Sequence, residues 1–187
     1  MNLDDEVKDI DVKALHLHDK FILTRTQEVA KKTRELIDSY DIGTAARGLY
    51  DFVWGDLCDW YVEMSKPALR GDEGEARKQT TQGVLEHVFR TVLPLLHPFI
   101  PFVTEELWEA FGFNGEEQYI MRTAWPEAKS EYMFDGVIED MGILQDVVRN
   151  LRNLRAEAHV PPQQRLAKAV IRAAGETRTA KILGESL

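Results

Sequence analysis

The chain has 187 residues, 44% of them hydrophobic and 29% charged, with a formal net charge of −9. That length supports one good core, or one domain plus part of another, and the composition excludes a disordered chain. Every apolar run falls short of the roughly 20 residues that a membrane span needs, the acidic N-terminus lacks a signal-peptide core, and a single cysteine cannot close an internal disulfide, which fits a reducing cytosol.

Residues 1–18 read as a solvated lead-in. From Asp19 to Tyr40, Ile22, Val29, Leu36, Ile37 and Tyr40 recur near a helical period, which predicts a helix with Asp19 as its N-cap. In the next stretch Ala46, Leu49, Tyr50, Val53, Trp54, Leu57, Cys58, Tyr61 and Met64 step by three and four along one face. Lys66-Pro67 is expected to end that second helix, because proline disfavours the α conformation in the residue before it. A third helix is predicted over Arg77 to Leu96, carrying Val84, Leu85, Val88, Phe89, Val92, Leu93 and Leu96, with Pro94 expected to kink its last turns. "VTEELWEAFGF" predicts a short fourth helix stopped by Gly112, and "YIMRTAWP" reads as extended. A fifth helix is predicted from Glu139 to Ala158, burying Val147, Val148, Leu151, Leu154 and Ala158 and ending before Pro161-Pro162.

"LAKAVIRAAG" alternates like a strand, and "ETRTAKILGESL" starts another helix. A lone strand needs a partner. The segment therefore reads as the start of a small α/β unit that has been cut, in a chain that is a piece of a longer one. The expected fold is all-α: an antiparallel helix bundle over 19–160, after a lead-in at 1–18 and before the beginning of a βα unit at 161–187.

Few residues suggest chemistry of their own. Cys58 falls on the apolar stripe beside Asp56 and Asp59, which suits a core thiol better than a reactive one. His16 and His18 flank one residue and adjoin Asp19, but no further metal ligand is evident, so no metal site is expected. His97, before Pro98, reads as structural. Asp51, Asp56, Asp59 and Glu63 read as a solvated face. Charge is uneven along the chain: residues 143–187 carry eight cations against four carboxylates. An acidic protein with such an end can bind RNA locally.

Several blocks combine in order: "DKFILTRTQEVAKKT" at 19–33, "GTAARGLYDFVWGDLCDWYVEMSKPAL" at 43–69, "VLPLLHPFIPFVTEELW" at 92–108, "YIMRTAWP" at 119–126 and "RNLRAEAHVPP" at 152–162. Together they resemble the anticodon-binding domain of the valyl-tRNA synthetases, which are class I aminoacyl-tRNA synthetases. "HPFIPFVTEELW" is shared with the isoleucyl and related enzymes. Trp54-x-x-x-Cys58-Asp59-Trp60-Tyr61 and the Arg152 to Pro162 block point to the valyl member. The resemblance covers about residues 19–175.

That resemblance implies one part of an enzyme. Glu63-Met64-Ser65-Lys66 is similar to the family's Lys-Met-Ser-Lys-Ser loop, but a carboxylate at the first lysine would repel phosphate, so it reads as coincidence. The His-Ile-Gly-His block is absent, and no catalytic site is expected in this chain. ATP and magnesium, valine activation, transfer and editing would belong to catalytic and editing domains of the same enzyme. The implied partner is the anticodon stem-loop of valine tRNA, with neither DNA nor a membrane, in the cytoplasm.

An anticodon loop offers bases to stack and edges to read, while stem phosphates supply salt-dependent affinity. Arg149, Arg152 and Arg155 lie three apart on the fifth helix, with Asn150 and Asn153 between them. They read either as a phosphate and base-edge ridge or as a solvated face with local ion pairs. Lys66 and Arg70 end the second helix, where cations complement the helix dipole in any case. Arg47 sits near that helix's start, where a cation wants a partner. Phe21 can stack a base or serve as a hydrophobic staple. Trp54, Trp60, Trp108 and Trp125 can stack bases, but most are expected in core or interdomain contacts, with Trp60 nearest the surface. An isoleucyl domain and a helical protein-interaction scaffold are the competing readings.

Overall fold

The computed structural model describes residues 10–113, 119–161, 164, 170, 171 and 178–186. Among these the regular structure is helical, without strands. The elements are α1 (Leu17–Asp38), α2 (Ile42–Asp51), a π-helical segment (Phe52–Val62), α3 (Glu63–Arg70), α4 (Glu75–Leu96), α5 (Pro101–Ala110), α6 (Val137–Glu157) and α7 (Arg178–Ser186), with 3₁₀ turns at Val12–Ala14, Ile120–Arg122 and Ser130–Tyr132. The chain divides into two compact units, Met1–Phe134 and Asp135–Leu187.

In the first unit α1 packs on α2, the π segment and α4, and α4 also meets α3 and α5. Ile22, Leu23, Leu49, Phe52, Leu57, Tyr61, Val84, Val88, Val92 and Leu95 fill the core between them. The helix predicted from Asp19 starts at Leu17 instead, with His16 as its N-cap. Asp19 is the third residue inside it, and its Oδ2 accepts the His16 backbone N–H at 2.9 Å. Leu15, in the expected lead-in, is buried in the core. At the far end Tyr40 turns left-handed (φ 60°) and lies 90% exposed, off the face predicted to be buried.

The second helix departs most from its predicted pattern. Residues 42–70 form one helical ribbon whose buried positions are Ala45, Leu49, Phe52, Leu57, Tyr61, Ser65 and Ala68. The step from Phe52 to Leu57 spans five residues and lies in the π segment, where bonding runs i→i+5. That wider turn rephases the ribbon and brings Leu57 and Tyr61 onto the line of Ala45, Leu49 and Phe52; Tyr50 and Trp54 lie off that line and are exposed, while Ala46, Val53, Cys58 and Met64 sit at its margin. Pro67 does not end the helix, which continues to Arg70. Gly71 ends it with φ 87°, its N–H donating to the Ala68 carbonyl and that of Asp72 to the Pro67 carbonyl, a Schellman closure that favours glycine.

α4 buries Val84, Leu85, Val88, Val92 and Leu93 of its predicted core residues, leaves Phe89 and Leu96 half-buried, and runs through Pro94. "YIMRTAWP", expected to be extended, opens with a 3₁₀ turn at Ile120–Arg122.

In the second unit, α6 buries Val137, Met141 and Leu144 in its first half. The predicted stripe is not buried: Val147, Val148 and Leu151 are half-buried, Leu154 is 61% exposed, and Ala158 is exposed. Arg178 of α7 hydrogen-bonds Asp140 and the Gly136 carbonyl. Gly136 has φ 73°, a backbone conformation that calls for glycine; a Cβ there would lie 2.9 Å from the tip of the exposed Arg178 side chain, which can shift aside. The predicted strand falls mostly outside the described residues, and 170 and 171, inside it, have no regular structure. The helix predicted after it is α7.

Candidate nucleic-acid interface

The second half of α6 turns polar side chains outward. Arg149, Asn150, Arg152 and Asn153 are exposed on adjoining turns. Arg149 donates to Asp146 one turn back at 2.9 Å, with both side chains more than half exposed. Such a pair contributes at most about 1 kcal/mol and gives way easily to a phosphate. Arg152 and Arg155 line one cleft with Ala156 and Val160.

Arg155 is committed locally. Its Nη2 donates to the carbonyls of Pro161 (2.8 Å) and Gln164 (2.9 Å). It thereby holds the chain as it leaves the helix. His159 makes that exit in the left-handed region (φ 54°), its N–H donating to Ala156 O and that of Val160 to Arg155 O. These are Schellman bonds around a residue that is not glycine, at a cost of about 1–2 kcal/mol.

The other candidates lie in the first unit. The side chains of Arg47 and Arg70 are exposed and make no ion pair or hydrogen bond to another described residue. Arg70 closes the last turn of α3, where the helix dipole favours it. Lys66 pairs with Glu63 one turn earlier. Phe21 is 4% exposed, which removes its ring from base stacking. The staple reading fails too, because the residue preceding the N-cap is Leu15 and its helical counterpart is Lys20. Glu63-Met64-Ser65-Lys66 is helical, with Ser65 fully buried and its hydroxyl donating to Tyr61 O at 2.6 Å, so it is no phosphate loop.

The tryptophans are ordered differently from expectation. Trp54 is 56% exposed, Trp60 and Trp125 are half-buried, and Trp108 is buried. Asp56 is not simply solvated: Arg25 of α1 donates to it at 2.8 Å. His97 Nδ1 lies 2.8 Å from Thr104 Oγ1, a structural tie between the end of α4 and α5. Among the described residues no group of three or more His, Cys, Asp or Glu is placed to hold a metal, and no helix is long and apolar enough to cross a membrane.

Two buried polar networks escaped the sequence pattern. In one, Asp19 Oδ1 accepts the Tyr61 hydroxyl at 3.0 Å and Asp19 Oδ2 lies 2.7 Å from Arg77 Nη1. Arg77 also approaches His18 Nε2 at 2.9 Å. Arginine only donates, so His18 Nε2 accepts and the ring is neutral, consistent with burial lowering its pKa. In the other, Gln27 Oε1 accepts the Lys129 backbone N–H at 2.8 Å, which fixes the amide. Its NH₂ then faces His87 Nε2 at 3.1 Å, and that nitrogen must accept. Burial, and next the charge of Lys129, push the His87 pKa down to about 4.

A family model described as "Anticodon-binding domain of tRNA ligase" matches residues 19–171. A valine–tRNA ligase of Staphylococcus carnosus is 42% identical over 173 residues, 91% of this chain and 19% of that protein. One of Halalkalibacterium halodurans is 45% identical over 143 residues, 76% of this chain and 16% of its own length. One of Geobacillus stearothermophilus is 43% identical over 149 residues, 80% of this chain and 17% of its own. The chain thus spans at most about a fifth of the length of these curated relatives.

Proposed function

The chain belongs to the anticodon-binding domain family of tRNA ligases, and we propose that it is the part of a valine–tRNA ligase that docks the anticodon arm of valine tRNA. The observation that carries this reading is similarity to valine–tRNA ligases at 42–45% identity over most of the chain. The outward polar face of α6 supports it chemically. Arg149 and Arg152 can meet phosphates, and Asn150 and Asn153 present both donors and acceptors for base edges. Arg47 and Arg70 add exposed cations on the first unit. Lys66 contributes less, because a neighbouring carboxylate already holds it.

In this reading the chain's work is positioning. ATP and magnesium, valine activation, aminoacyl transfer and hydrolytic editing belong to the catalytic and editing domains of the same enzyme, acting in the cytoplasm. The isoleucyl alternative and the protein-scaffold alternative are outcomes of one experiment. This chain is titrated at low salt with valine tRNA, with the same tRNA changed at its central anticodon base, and with isoleucine tRNA. Preference for unchanged valine tRNA is expected. Equal binding to the changed tRNA reduces the role to backbone docking, preference for isoleucine tRNA moves the assignment, and absence of any binding favours the scaffold. Arg149→Gln and Arg152→Gln should each lower the salt slope by about one phosphate contact.

A further inference from the structure

We propose that Tyr50 and Trp54, with Arg47 one turn earlier, form a stacking shelf for one unpaired nucleobase and its phosphate. The inference rests on the tRNA-docking reading and adds a site to it. Trp54 was expected in core or interdomain contacts, and Tyr50 on the same apolar face. The structure instead leaves Tyr50 62% and Trp54 56% exposed. Their ring centroids are 6.3 Å apart with planes inclined at 53°. That spacing and tilt leave no slot between the rings, so a base would lie on an outer face.

Single exposed apolar side chains are ordinary. This pair is different in three respects. First, the rings wall a cleft of about 280 Å³ with Val53, Leu96, Phe99 and Ile100, with no charged residue among the described residues that line it. Second, the exposure is built by the backbone. Trp54 stands two residues past buried Phe52, off the buried line, beside the five-residue step that brings Leu57 onto it, and π turns of this kind are uncommon and frequent at functional sites. Third, a cation stands at the rim. Arg47 precedes Tyr50 by three residues on α2, is exposed, and its side chain makes no ion pair or hydrogen bond to another described residue. An apolar shelf beside an exposed guanidinium fits a nucleotide, which offers a π face and a phosphate together.

The test uses this chain and an anticodon stem-loop RNA with a valine anticodon, carrying 2-aminopurine at each loop position in turn. Trp54→Ala and Tyr50→Ala are each expected to weaken binding by roughly five- to hundredfold, the range that one stacked base supplies. One 2-aminopurine position should be quenched by the wild type and not by Trp54→Ala. Trp54→Phe should keep most of the affinity, whereas Trp54→Leu, apolar but without a ring, should lose it. Arg47→Gln should lower the salt slope by about one. Circular dichroism checks that the variants fold. If the wild type binds the RNA and Trp54→Ala or Trp54→Leu binds equally well, the shelf is overturned and tRNA docking stands. If Trp54→Ala instead dissociates a dimer and leaves RNA affinity unchanged, the cleft is a self-interface and the proposal also falls. If the wild type binds neither the stem-loop nor full-length valine tRNA, both readings fall together.

Discussion

Arg77 reaches from α4 to within 2.7 Å of Asp19 on α1, and the carboxylate it meets is fully shielded from solvent. The same carboxylate takes the Tyr61 hydroxyl from the π segment and the His16 backbone N–H. One side chain therefore fastens three parts of the first unit. A buried pair of this kind need not stabilise more than apolar residues of the same volume, but breaking it strands a charge. Asp19→Ala is expected to destabilise the chain by roughly 3–5 kcal/mol, and the Asp19→Leu, Arg77→Met double variant by clearly less. Urea midpoints for the single and double variants check this. Equal losses would mean that the pair matters through its shape and not its charge.

His87 makes stability depend on pH. Its ring is neutral because Nε2 must accept from Gln27, and its pKa lies at about 4 against roughly 6.5 in an unfolded chain. Between those values the unfolded chain binds the extra proton and the folded chain does not. Stability contributed by the neutral ring is thus complete above about pH 6.5 and is lost as the pH falls toward 4. The full shift corresponds to roughly 3 kcal/mol. Denaturant midpoints measured across that window should fall more steeply for the wild type than for His87→Gln, which keeps an acceptor but cannot titrate.

Much of the fold was legible where apolar and polar positions contrast cleanly. Val84, Val88 and Val92 of α4 lie where a helical period puts them, and they are core. The ribbon at 42–70 was misread because a five-residue turn is invisible to a search at 3.6 residues per turn, so Trp54 was expected inside. α6 teaches a different limit. Periodicity says which side chains share a face, not whether anything covers that face, and Leu154 shares its face in the open. For the candidate site the residue types were readable and their partners were not. Arg149 and Arg155 look alike in sequence, yet one holds a surface carboxylate and the other two backbone carbonyls.

That difference separates two variants on the same helix. Arg155→Ala removes two charge-assisted bonds that hold the turn after α6, and partial exposure limits the loss to about 1 kcal/mol. Arg149→Ala releases only a surface pair and should leave stability within about 0.5 kcal/mol. Hydrogen exchange at Ala158, His159 and Val160, whose amides close the turn, should quicken in Arg155→Ala and stay unchanged in Arg149→Ala. If both behave alike, Arg155 does not hold the turn.

Cys58 gives a last check on the rephased ribbon. The thiol sits at the core margin, and burial first, then the charge of Asp59, raise its pKa above the usual thiol value. Reaction with a disulfide reagent runs through the thiolate, so a raised pKa leaves less of the reactive form near neutral pH. Cys58 should therefore react more slowly at pH 7.5 than a free cysteine, and its rate should keep climbing at pH values where free cysteine levels off. Urea should abolish both differences. Asp59→Asn should recover part of the rate without unfolding the chain, because it removes the repelling charge and leaves the burial in place.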